Sequence, residues 1–141
     1  MATKSDYRAD EWQILQWAMM NTMAYMSMAD PGFWDSFKEA KGAAEFIAAE
    51  KTTSDSLLVR DLAGDLKSKR DQELVDNPTD LSGEVVARVS EAAVLVAEKD
   101  VADLPAFKEF IIGLARATAE AAKGVEANEA KAIEKIKTAL G

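Results

Sequence analysis

Two zeros define the chemistry open to this chain: of its 141 residues, none is Cys and none is His. Thiolate nucleophiles, disulfides, Cys/His zinc sites, imidazole-held haem and every Ser-His or Cys-His catalytic pair are thereby excluded. Carboxylates and thioethers remain, and each is concentrated. Asp30, Asp35 and Glu39 make one acidic corner, and Asp100, Asp103 and Glu109 make another. Five of the six methionines, Met19, Met20, Met23, Met26 and Met28, fall within ten positions. Oxygen ligands would suit Mg²⁺, Ca²⁺ or Mn²⁺, whereas thioethers would suit Cu(I).

The acidic corners echo one another. Asp30 is followed seven residues later by Phe37-Lys38-Glu39 and Asp100 by Phe107-Lys108-Glu109, an offset of 70 in both cases. Neither corner spaces its acids as an EF-hand loop does, and a ferritin-like carboxylate site wants Glu-x-x-His. An ad hoc divalent-cation site is what survives. The competing reading, that the aspartates cap or solvate helix ends, is the stronger. The methionines divide similarly. Met19, Met23 and Met26 share a helix face and could hold Cu(I), but helical spacing beside Trp12, Trp17, Tyr25, Phe33 and Trp34 favours adaptable core packing. A Met-rich face that re-packs around a partner is the third option. General acid-base work needs a buried carboxylate pair, yet the acids sit at helix ends and on polar faces. No glycine pattern opens a phosphate cradle. The sequence thus predicts no enzyme and no cofactor.

Positioning these residues falls to a helical scaffold. With 48% apolar and 30% charged residues, only 3 Pro and 7 Gly, the chain is expected to fold as one domain over residues 1–141. Its net charge of −8 and pI near 4.6 repel phosphate backbones and anionic headgroups, which argues against nucleic-acid and membrane partners. Lys67, Lys69 and Arg70 do not alter this, being bracketed by Asp65, Asp71 and Glu73. The first residues show no secretory signal, so a cytoplasmic location is expected. The uncharged stretch Trp12 to Ala29 is interrupted by Gln13, Gln16, Asn21, Thr22 and Ser27 and lacks a basic flank, unlike a membrane span.

Six helices are predicted, with residues 1–9 frayed. The first runs from about Asp10 to Ala29 and stops at Asp30-Pro31-Gly32. One side carries Trp12, Leu15, Met19, Met23 and Met26, another Ile14, Trp17, Tyr25 and Met28. A helix apolar on two faces is either central or shared with a second copy, which makes Ile14, Trp17, Tyr25 and Met28 interface candidates. The second helix, Phe33 to Ala49, offers Phe33, Phe37, Ala40, Ala44 and Ile47 to the core. Thr52-Thr53-Ser54-Asp55 is expected to cap a third helix, Asp55 to Val75, buried through Leu58, Leu62 and Leu66. Residues 76–83 read as the mid-chain loop and Ser82 as the cap of a fourth helix buried through Val85, Val89, Ala92 and Val96. Asp103-Leu104-Pro105 starts the fifth, with Phe107, Ile111, Leu114 and Thr118 on one face, Phe110 beside it and Gly124 as its stop. The sixth, Ala127 to Leu140, packs Ile133, Ile136 and Leu140.

Two resemblances follow. Glu11-Trp12, Ala29-Asp30-Pro31-Gly32, Ala106-Phe107-Lys108 and Ala119-Glu120-Ala121-Ala122-Lys123 together resemble a family of uncharacterised small bacterial helical proteins, and this resemblance implies a bacterial cytosolic origin and no transferable activity. More remotely, the duplicated helix-Asp-turn-helix layout is similar to the tellurite-resistance TerB-like fold, which implies stress-associated divalent-metal binding through acidic residues. The chain has Asp30-Pro31 and Asp100-Val101 where that group has Asp-Gly. The expectation is an all-α single-domain bundle of about six helices in two loosely pseudo-symmetric helix-loop-helix halves. It would act through a protein partner or self-association, with a divalent-cation binder at the acidic corners as the alternative.

Overall fold

The helical punctuation of the sequence is realised as six α-helices and two short 3₁₀ turns in the computed structural model, with no strand among the described residues. The backbone is described for residues 2–29, 36–65, 81–123 and 127–141, and side chains for these except 24, 27–29, 36–43, 81–84, 119–123 and 127–129. After a 3₁₀ turn at Lys4–Asp6 come α1 (Ala9–Ala29), α2 (Ser36–Thr53), α3 (Leu57–Gly64) and α4 (Leu81–Lys99). A second 3₁₀ turn, Val101–Asp103, leads into α5 (Leu104–Lys123), and α6 (Ala127–Leu140) closes the chain.

Helix α1 is the axis of the bundle. It packs against α2, α4, α5 and α6, while α2 lies along α5 and α3 rests on α2. Its uncharged sequence is thereby explained, since a helix surrounded on most sides has little room for charge. Trp12, Leu15, Met19 and Met26 are buried as predicted, and Met20 joins them. Within the Met cluster, Met19, Met20 and Met26 are core, where flexible thioether chains fill irregular space between helices, and Met23 packs partly buried against it; the side chain of Met28 lies outside those described. Polar side chains also turn inward. Gln16, Asn21 and Thr22 are buried, and the Thr22 hydroxyl donates to the Ala18 carbonyl at 2.8 Å.

The predicted stripes of α4, α5 and α6 are buried throughout: Val85, Val89, Ala92 and Val96; Phe107, Phe110, Ile111, Leu114 and Thr118; Ile133, Ile136 and Leu140. Each large apolar side chain removed from water stabilises the fold by roughly 1.5–3 kcal/mol before chain entropy is counted. The Lys108 ammonium donates to the Gly141 carbonyl at 2.9 Å, so α5 and α6 form an antiparallel hairpin. The closest approach lies between α2 and α5, where Gly113 faces the ring of Phe46, which in turn stacks on Phe110 at 6.0 Å between centroids.

Several boundaries differ from expectation. Helix α2 runs on through Thr53, because the hydroxyls of Thr52 and Thr53 bond back to the Ala49 carbonyl instead of capping the next helix. The cap of α3 is Ser56, extended at φ −89° and ψ 122°, with its side chain accepting from Val59 N–H. Ala44 is exposed, and Phe46 with Ile47 carries the inner face of α2. Helix α4 begins at Leu81, which puts Ser82 inside the first turn, where a residue cannot be the N-cap. Phe33, Phe37, Ala40, Leu66 and Gly124 lie outside the described side chains, as do residues 76–80 of the mid-chain loop. Within the N-terminal segment expected to be frayed, Ala2 and Tyr7 are buried in the core cluster. No helix among the described residues is long and apolar enough to cross a membrane.

Candidate functional site

The second acidic corner is built by the turn between α4 and α5. Asp100 is extended at φ −161° and ψ 107°, and its side chain accepts from Ala102 N–H at 3.0 Å, which caps the Val101–Asp103 turn. Asp103 is 3% exposed and accepts the Ala2 backbone N–H at 2.7 Å. Glu109 lies exposed on α5. The corner that the sequence suggested for a cation therefore spends its carboxylates on backbone donors. No three acidic side chains converge on a common point among the described residues. Capping prevails because a turn leaves N–H groups without helical partners, and the nearest carboxylate takes them. Asp30, Asp35 and Glu39, the first corner, lie outside the described side chains.

Above this corner sits Tyr7. Its ring meets Trp12 edge-on at 5.5 Å and lies 5.7 Å from the Lys99 ammonium. Its hydroxyl is buried with no hydrogen-bond partner among the described residues. Burial, followed by the negative charges of Asp103, Glu11, Asp6 and Asp100, pushes the phenol up to about 12. Glu11 is shifted the other way: the Arg8 backbone N–H and then the Lys99 ammonium hold its carboxyl below the ordinary glutamate range. The Trp12 indole N–H donates to Asp65 at 2.7 Å, and the same carboxylate pairs with Lys4 at 2.6 Å.

The four interface candidates separate. Tyr25 is 8% exposed and belongs to the core, so it is not open to a second copy in this fold. Ile14 is partly buried against the core, and Trp17 is partly exposed. The side chain of Met28 lies outside those described. Among the described residues the exposed large apolar side chains are Leu57, Val94 and Val101, and none is on α1. The second apolar face of α1 is thus divided, with Tyr25 drawn into the core and Ile14 and Trp17 only partly buried.

What α1 does present lies along its seam with α4. Lys99 pairs with Glu11 at 2.9 Å, and the Arg88 guanidinium lies 4.5 Å from the centre of the Trp17 ring. Residue numbers rise on α1 from Glu11 to Trp17 and fall on α4 from Lys99 to Arg88, so the helices are antiparallel. That register sets the partly buried Ile14 and Leu95 between the two contacts. The seam thus ends in an ion pair on one side and an aromatic-guanidinium stack on the other, both on rigid helices.

Arg88, Lys99, Asp61 and Asp65 were not singled out from the sequence. One local signal existed: Glu11 lies three residues after Arg8, the spacing at which a glutamate reaches back to the N–H that opens a helix. The others come together only through tertiary folding. Comparison with protein families, characterised proteins and solved structures finds no match to this chain.

Proposed function

We propose that this chain is a non-catalytic cytoplasmic helical module that acts through protein-protein contact at the α1–α4 seam, with self-association as its simplest form. The observation that carries this reading is the Trp17–Arg88 stack, a partly exposed indole under a guanidinium at 4.5 Å. Tryptophan, tyrosine and arginine are enriched among the side chains that dominate interface energy. Ile14 and Leu95 extend the apolar surface along the same seam.

Sedimentation velocity over a concentration series tests the proposal. The mass is expected to rise with concentration, and Trp17→Glu is expected to hold it at one chain while the helical signal is retained. Val94→Glu, on the outward side of α4, is expected to leave association intact. Loss of association in Val94→Glu but not in Trp17→Glu would move the contact off the seam. A single-chain mass up to roughly 1 mM, where binding is worth only ~4 kcal/mol, would overturn self-association.

A further inference from the structure

The N-terminal segment, residues 2–8, is a strap that buries Ala2 and Tyr7 and gives most of its remaining backbone N–H groups to carboxylates. Ala2 N–H goes to Asp103 at 2.7 Å, Thr3 N–H to Asp6 at 2.9 Å, Lys4 N–H to Asp61 at 3.0 Å and Arg8 N–H to Glu11 at 2.9 Å. The Lys4 ammonium pairs with Asp65, and Arg8 lies 3.3 Å from Asp10 and 3.6 Å from Glu11. These acceptors come from different parts of the chain: Asp6 from the strap, Asp10 and Glu11 from α1, Asp61 and Asp65 from α3 and its end, Asp103 from the turn after α4. Asp100 of that turn and Lys99 of α4 also face it. The strap covers Trp12, through the Tyr7 ring at 5.5 Å and the Lys4 ammonium 5.9 Å from the indole centre.

From this arrangement we propose that the strap is an acid-released latch, which undocks from α1, α3 and the α4–α5 turn and uncovers Trp12 while the helical core stays folded. An ionised carboxylate accepts an N–H about twice as strongly as a neutral acceptor does. Protonation therefore weakens the carboxylate anchors together and leaves Lys4, Arg8 and Lys99 without the counter-charges of Asp65, Asp10 and Glu11. The core has no such dependence. Its contacts are apolar, from Val85, Val89 and Val96 on α4, Phe107, Ile111 and Leu114 on α5, and Ile136 on α6. Acid should open the strap before the bundle.

Amide hydrogen exchange of the whole chain, corrected for intrinsic rates, tests the latch without any substitution. As pH falls from 7 into acid, protection at Ala2, Lys4 and Arg8 is expected to drop about tenfold or more, Arg8 last because its acceptor Glu11 is held below the ordinary glutamate range, while Ile111 and Leu114 keep theirs. Simultaneous loss at strap and α5 would mean global acid unfolding and would overturn the latch, as would strap protection that ignores pH. The triple variant Asp61→Asn, Asp103→Asn, Glu11→Gln keeps an acceptor oxygen at each anchor and removes its titration. Its strap is expected to stay protected in acid, and an unchanged acid response would refute carboxylate control.

Discussion

Gly113 offers a test whose sign is decided by the structure. Read from helix propensity alone, Gly113→Ala in the interior of α5 should stabilise the protein by about 1 kcal/mol. The packing argues otherwise: a Cβ at this position would lie 2.6 Å from Cζ and 3.0 Å from Cε2 of Phe46, well inside contact distance. The ring cannot retreat freely, because its stacking on Phe110 at 21° between planes backs it. Overpacking of this kind costs about 1–3 kcal/mol, so the net expectation is a loss of about 1 kcal/mol. For a chain of this length that lowers Tm by roughly 3–5 °C. Urea denaturation of Gly113→Ala, Phe46→Leu and the double variant provides the assay. In the Phe46→Leu background the alanine should become neutral or stabilising, with a coupling of about 1–2 kcal/mol between the two positions. If Gly113→Ala alone stabilises by the full propensity gain, the close approach of α2 and α5 is refuted.

Two further perturbations probe the buried polar groups. The Tyr7 phenol is raised from its ordinary 10 to about 12, so the protonated form is the one favoured by folding. The stability it contributes is intact below pH 10 and is lost as pH rises through about 12, and denaturant titrations over that window should show the loss in the parent but not in Tyr7→Phe. At neutral pH Tyr7→Phe should raise stability by about 1 kcal/mol, since it removes a buried hydroxyl without a partner. Asn21 is 0% exposed, donates to the Trp17 carbonyl at 2.8 Å and has its own carbonyl oxygen buried without a donor among the described residues. Asn21→Leu is expected to raise the urea midpoint, by about 1 kcal/mol in stability, and a decrease would show that the amide has a role beyond α1.

The fold was legible where periodicity and burial agree. On α4, α5 and α6 the three- and four-residue spacing of Val85 to Val96, Phe107 to Thr118 and Ile133 to Leu140 named the buried faces residue by residue. Helix ends were less legible. Thr52 and Thr53 have good capping side chains, but a hydroxyl in the last turn can equally bond back to the carbonyl three or four residues earlier, and only the path of the chain selects Ser56 as the cap. The carboxylates were the least legible. Composition singled out Asp100 and Asp103 as ligand candidates, yet their partners are the N–H groups of Ala102 and of Ala2, the latter 101 positions away.

The sequence by itself determined the helical class, the inner faces of the later helices and the exclusion of thiol and imidazole chemistry, because these depend on residue type and local spacing. Tertiary structure decided whether the second apolar face of α1 is core or surface. Four helices surround α1, so Tyr25 is buried and Trp17 is left at a seam beneath Arg88. It also decided that the scattered acids Asp61, Asp65 and Asp103 meet the N-terminal strap. A carboxylate's partner is whichever donor the fold delivers within about 3 Å, and spacing along the chain carries no record of that distance.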